Sequence, residues 1–440
     1  MLLYNVFKIS LLSCICLSSV ALSDKITHKT LDNGLNILVK EDHRYPVANI
    51  TFSYNVGSIN EPAFQTGISH FLEHVMYGRT NNLSHTNIED YYNQHSAHYS
   101  ATTSHESTSY TTMVLPSEIS SVLQFEKDRL TGLQFLPEDI EKERNAILQE
   151  KKQHLTVTPW LEPKELLNTH AFPTGVYHHP VIGWESDIES ISYLEIKNWY
   201  EKWYNPNNLT IIVVGDVSTD NIVSNIKLLF DEIPSHPLKR KIILENKKRE
   251  GDIRVDIKRP VNNPLYIISF QVPKPDNSSL ETEIILTLLT DLLTNPQQGI
   301  VSQELITNNH LAVDVDSELD YLKKTNGYFS FYITPNKNIH FYSIKNKLLS
   351  LMNNISEADI SDHRLKEVKQ RYLAQHTFFQ DSIADQTRIY SKLISLDLLH
   401  NRYETIEEAL EHITKKQIAD AVKAHFNEDS PKAILTIKPL

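Results

Sequence analysis

His70, Glu73 and His74 place three ionisable side chains within "SHFLEH" (69–74), around the apolar neighbours Phe71 and Leu72. On a helix, residues four apart share a face, so the two imidazoles can hold one cation through ring nitrogens. Glu73 lies three after His70, near that face but displaced, where it can reach a water at the cation without being a ligand. A satisfied pair of core histidines would show the same spacing. Among 20 histidines the triplet arises by chance in roughly one such sequence in ten or twenty, so the rest of the chain has to support a metal.

A metal site that does chemistry takes three protein ligands and keeps one place open; a fourth protein ligand closes it and makes it structural. Both cysteines, Cys14 and Cys16, lie in an N-terminal segment that reads as removable. Thiolate ligands, disulfides and cysteine nucleophiles therefore drop out. The third ligand must be a carboxylate or another histidine. "EKERNAILQEKK" (141–152) offers Glu143 and Glu150, seven apart and so on one face of a helix, with Ala146 and Ile147 between them on that side. A solvated charged face has the same pattern, and spacing alone does not separate the two. His95, His98, His105, His178 and His179 lack helical ligand spacing and are assigned to loops and packing.

These residues need a scaffold. "TGISHFLEHVMYG" (66–78), "LPSEISSVLQFEKDRLTGL" (115–133) and "LPEDIEKERNAILQEKKQH" (136–154) read as helices. Leu35, Ile37 and Val39 alternate, as do Ile50, Phe52, Tyr54 and Val56, which predicts half-buried strands either side of turns such as "DNG" (32–34). "NLTIIVVGD" (208–216) reads as a buried strand, and 234–252, Pro- and charge-rich at both ends, as a linker. A faint repeat pairs 191–215 with 413–437 at an offset of 222, setting Ile196 on Ile418, Tyr204 on Phe426 and Ile212 on Ile434. Two similar α+β halves suit a chain of 440 residues. In the second half, "LETEIILTLLTDLL" (280–293) stands where the first has its histidine pair, and it contains no histidine.

Composition is globular, and a net charge of −12 speaks against a nucleic-acid partner. Residues 1–23 carry Lys8, an apolar stretch from Ile9 to Leu22, and small residues at Ala21 and Ser23, a secretory signal pattern with cleavage after Ser23. About 14 apolar residues fall short of the roughly 20 needed to span a bilayer, so no stable membrane span is expected. The chain is placed in the periplasm or outside the cell.

"YNVGSINEPAFQTGISHFLEHVMYGRT" (54–80) resembles the motif region of the pitrilysin (insulinase) family of zinc peptidases, which includes the mitochondrial processing peptidase and carries the inverted H-x-x-E-H order. "ERNAILQE" (143–150) is similar to that family's downstream E-x6-E element, and "YHHPVIGW" (177–184) and "WYNPNNLTIIVVGD" (203–216) to later signatures. The resemblance implies a zinc metalloendopeptidase with one Zn²⁺ per chain, held by His70, His74 and Glu150. Glu73 would be the general base, and Glu143 would orient a ligand without binding the metal. It implies an α+β fold of two similar domains, each a mainly antiparallel sheet packed with helices, together half of a clamshell chamber. The metal-bearing domain would span 24–240 and its metal-free counterpart 250–440.

The family adds its peptide substrate as a strand along a sheet edge. The matching segment is "SATTSHESTSY" (100–110), where Ser100-Ala101 replaces the usual Asn-Ala and Glu106 the usual Asp. Active relatives also carry an Arg and, seven later, a Tyr in the second half; here Ile306 and Val313 fall at those positions, and neither side chain donates a hydrogen bond. The chain is therefore expected to work as the metal-bearing half of a heterodimer, with a homologous subunit supplying Arg and Tyr, or as a homodimer. The rival is a non-catalytic scaffold or peptide-binding subunit.

Overall fold

The computed structural model describes residues 26–82, 88–157, 161–171, 176–238, 251–399 and 402–440. The N-terminal signal pattern, most of the expected linker and Trp160 lie outside them. The first unit has strands β1 (Thr27–Thr30), β2 (Asn36–Glu41), β3 (Ala48–Tyr54), β4 (His98–Thr103), β5 (Thr108–Val114) and β6 (Leu209–Gly215). Its helices are α1 (Ile68–Val75), α2 (Ile88–Gln94), α3 (Ile119–Gly132), α4 (Pro137–Val157), α5 (Leu161–Ala171), α6 (Glu185–Ser190), α7 (Tyr193–Trp203) and α8 (Thr219–Phe230). The second unit has β7 (Ile253–Arg259), β8 (Leu265–Val272), β9 (Ala312–Asp320), β10 (Gly327–Pro335) and β11 (Lys432–Pro439). Its helices are α9 (Leu280–Thr294), α10 (Ile300–Ser302), α11 (Phe341–Asn354), α12 (Asp362–Asp381), α13 (Ile383–Ser395), α14 (Ile406–His412) and α15 (Lys415–His425), with a π-helical turn at Gln303–Asn308 after α10.

The first sheet runs β1-β2-β6-β3-β5-β4 and the second β7-β11-β8-β10-β9. Among the described residues only β2–β6 and β7–β11 are parallel. With β1 set aside, the two orders agree strand for strand, so the fold is an α+β duplication. Among the described residues the sheets end at β4 and β9 on one side and at β1 and β7 on the other.

The repeat has a register slip. Ser192 with Glu195, and Thr414 with Gln417, form the same capping box at the start of α7 and α15, so the helices do match at 222. In the strands, Ile211 and Val213 face the first core while Ile212 faces the opposite side, whereas Ile434 faces the second core. Ile434 is thus the counterpart of Ile211. The turn after α15 (427–431) is one residue longer than that after α7 (205–208), and a slip of one residue exchanges strand faces.

Burial corrects another expectation. β3 is buried at every position, not at alternate ones. Its main apolar face packs on the helices of its own unit, and the back of the first sheet, Leu38, Ile212 and Val214, is covered by Ile383 and Tyr390 of α13. The back of the second sheet, Ile267, Ala433, Leu435 and Ile437, is covered in return by Leu167 of α5. The units have exchanged helices. Polar residues on the covered back of β3 find partners on α13: Asn49 Nδ2 donates to Thr387 Oγ1 at 2.5 Å, and the Ser53 and Ser391 hydroxyls lie 2.7 Å apart.

Candidate metal centre

Helix α1, which carries two of the candidate donors, is short, and its N-terminus carries its own anchor. Gly67 precedes α1 at φ +87°, with Ile182 O only 2.4 Å from where a Cβ would stand, and Gly183 meets Thr66 O equally closely. These two glycines let the 176–184 loop pack against the start of α1. Glycine offers no capping side chain, and buried Glu61 takes that role: its carboxylate accepts the Gly67 and Ser69 N–H groups at 2.8 and 2.9 Å. Burial lifts the Glu61 carboxyl to about 8 despite those donors.

Helix α4 lies across α1. Ile140 and Ile147 are buried on its inner face, while Ala146, expected beside them, is exposed. Arg144 stacks over the Phe71 ring at 5.2 Å and donates to Ile191 O. The crossing brings the donors together. Glu150 Oε2 is 3.7 Å from His70 Nε2 and 3.4 Å from His74 Nε2. All three ligand atoms lie within 4.8 Å of one another. Tetrahedral zinc at about 2.0–2.2 Å from each donor holds them about 3.3–3.5 Å apart, so the set fits that ion after small closure. Glu143 Oε2 stands 3.3 Å from His74 Nδ1, on the far side of the ring from Glu150. His70 Nδ1 is buried with no hydrogen-bond partner among the described residues.

The neighbouring carboxylates set the charge of the histidine pair. Burial works against a charged His74, but Glu143 and Glu150 outweigh it and raise the ring to about 9. Burial, aided by His74, pushes His70 down to about 4. Glu150 is held below the ordinary carboxylate value by its hydrogen bond to His74. Glu73 is not among the donors; its carboxylate accepts from Thr103 Oγ1. Burial raises the Glu73 carboxyl, the direction a general base near neutral pH needs.

The site opens into a cavity of about 500 Å³ lined by His70, Glu73, Glu150 and the edge-strand residues Ala101, Thr102 and Thr103. The lining also includes His105 and His179 and, from the second unit, Asp320 and Lys323. Both histidines lie in loops and pack there, as expected, but they also line the cavity. His105 Nδ1 pairs with Ser58 Oγ at 2.7 Å, and burial drives its ring well below the ordinary value. Ser100 is exposed and lies one residue outside the cavity lining, whereas Ala101 lies in it. Glu106 faces away from solvent, taking Tyr177 OH at 2.5 Å and Lys392 Nζ at 2.6 Å. Glu61 and Thr103 went unrecognised in the sequence, since neither stands at ligand spacing from the histidines.

The second unit has the same recess without the chemistry. Ile285, Leu288, Leu289, Leu292 and Leu293 repeat the buried positions Ile68, Phe71, Leu72, Val75 and Met76 at a constant offset of 217. Thr287 and Asp291 therefore stand where His70 and His74 do, and Thr290 where Glu73 does. Asp291 bonds Arg371 Nε of α12 at 2.6 Å, an ion pair in place of a metal site. Ile306 sits on the π-helical turn, partly buried on the second core, and Val313 is exposed on β9.

Residues 36–173 match the family described as Insulinase (Peptidase family M16), and residues 190–372 the description Peptidase M16 inactive domain. The chain is 22% identical over 422 residues to the zinc protease PqqE of Helicobacter pylori, spanning 93% of this chain and 92% of that protein. It is 23% identical over 410 residues to a probable mitochondrial-processing peptidase subunit beta of Arabidopsis thaliana, spanning 89% and 76%. Its fold matches the crystal structure of the periplasmic protease PqqL from Escherichia coli with a TM-score of 0.78 at 16% identity, over 95% of this chain and 48% of that one.

Proposed function

The chain belongs to the insulinase family (peptidase family M16), and from that premise we propose that it is a zinc endopeptidase acting on peptides or unfolded segments. The observation that carries this is the convergence of His70, His74 and Glu150 from two helices, beside a cavity into which Glu73 projects. Zinc bound there would supply a Lewis acid and bring a water's pKa towards about 7. Glu73 takes the proton of the attacking water and returns it to the leaving amine. Glu143 holds His74 Nδ1, which aims Nε2 at the donor cluster. A peptide pairs with the open edge of β4 along Ser100 and Ala101, read mainly through its backbone.

The second unit supplies no side-chain donor at Ile306 or Val313. A homologous subunit bearing Arg and Tyr would complete the chamber, whereas a second copy would close it but bring Ile306 and Val313 again. A periplasmic or secreted location rests on the pattern in residues 1–23; among the described residues no helix is long and apolar enough to cross a membrane.

Zinc analysis and peptide hydrolysis of wild-type and Glu73→Gln protein, each alone and with the homologous subunit, test this reading. One zinc per chain is expected in both forms, with the rate of the variant lowered about 10²- to 10⁴-fold. A scaffold would show no change in either measurement. If the chain alone hydrolyses as fast as the pair, the heterodimer arrangement is wrong.

A further inference from the structure

The base has a holder, and the holder is tied to the other unit. Thr103 is the last residue of edge strand β4, and its Oγ1 donates to Glu73 Oε2 at 2.5 Å. Thr103 pairs with Thr108 across the β4–β5 hairpin, whose turn closes with Ser104 N donating to Ser107 O. Inside that turn sits Glu106, a carboxylate with 1% exposure that the reaction does not use. One of its oxygens takes Tyr177 OH from the loop beside α1, and the other takes Lys392 Nζ from α13 of the second unit. A carboxylate is costly to bury unless it is paired, and here both oxygens are engaged. The metal-free unit thus grips the hairpin that carries Thr103.

We infer that Thr103 is the positioning residue of the general base Glu73, and that Lys392, through Glu106, lets the second unit hold the hairpin in register. Without the Thr103 hydroxyl, Glu73 keeps its place in sequence but loses the donor that fixes which way its carboxylate points. The metal donors are untouched, since His70, His74 and Glu150 make no hydrogen bond to Thr103. This rests on the peptidase reading for its kinetic consequence and on geometry alone for its structural one.

The test uses the full chain, in whichever assembly hydrolyses peptide, with kcat, KM and zinc content measured for each variant. Thr103→Val is expected to lower kcat about ten- to hundredfold, with KM and zinc content unchanged, and Thr103→Ser to restore most of the loss. Lys392→Met should lower kcat while Lys392→Arg does not. Asp381→Asn, which cuts another ion pair between the units (Arg44 Nη1 to Asp381 at 2.5 Å), should leave kcat in place. Wild-type kcat in Thr103→Val, a Thr103→Ser as slow as Thr103→Val, or equal losses in Lys392→Met and Asp381→Asn would overturn the inference. Crystal structures of wild-type and Thr103→Val protein decide it independently of activity. A displaced Glu73 carboxylate in the variant supports the inference and an unmoved one sinks it, whereas an inactive wild type counts only against the peptidase reading.

Discussion

At the scale of single residues, Glu61 shows how a buried carboxylate can serve a site it never touches. It caps α1 through two backbone N–H groups, one of them on Ser69, next to the first donor histidine. Its carboxyl is lifted from 4.5 to about 8 by burial, so between those values the folded chain holds a proton that the unfolded chain has released. The stability Glu61 contributes is then full below about 4.5 and is lost as pH rises through about 8. The difference in Tm between wild type and Glu61→Gln should shrink from pH 5 to pH 9. A difference that grows over that range would contradict the assignment. The His70/His74 pair was legible in the sequence because a spacing of four along a helix is local and fixes a shared face; spacing left Glu143 and Glu150 undecided, and only the family resemblance pointed to Glu150 as the third candidate donor. Glu61, Thr103 and His105 were not legible, because each reaches the site by tertiary packing that no spacing records.

Among elements, the exchanged helix α13 explains why strand patterns misled. Asn49, Thr51 and Ser53 alternate with apolar residues in β3, a pattern that predicts one wet face. That face is dry because α13, more than 300 residues away in the chain, lies on it with matching hydroxyls: Asn49 and Thr387 are 338 residues apart. Thr387→Val should cost about 1–3 kcal/mol by stripping Asn49 Nδ2 of its acceptor. Pairing it with Asn49→Leu should recover part of the loss, since an apolar pair leaves no orphan. Denaturant unfolding of the two variants checks this. Equal stability of Thr387→Val and wild type would mean that the buried contact is not formed. The same non-local geometry hid the strand register, where one extra residue in a turn moved Ile434 onto the face of Ile211.

For the whole molecule, the duplication and the exchange pull in different directions. Two sheets of matching order invite a division into halves, yet each half covers the other's back. A chain cut to residues 24–240 would keep the candidate donors His70, His74 and Glu150 but expose Leu38, Ile212 and Val214, which are fully buried under α13 in the intact chain. Such a fragment is expected to show no cooperative thermal transition by near-UV circular dichroism, and to regain one when 250–440 is supplied in trans. A fragment that melts sharply alone would show that the units are independent.

The peptidase reading depends on three donors from α1 and α4 meeting at one ion. Anomalous diffraction at the zinc edge from crystals of the zinc-soaked protein tests that most directly. The expected result is one peak about 2.0–2.2 Å from His70 Nε2, His74 Nε2 and a Glu150 carboxylate oxygen, with solvent in the remaining place. No peak there, or a fourth protein atom at bonding distance, would contradict it.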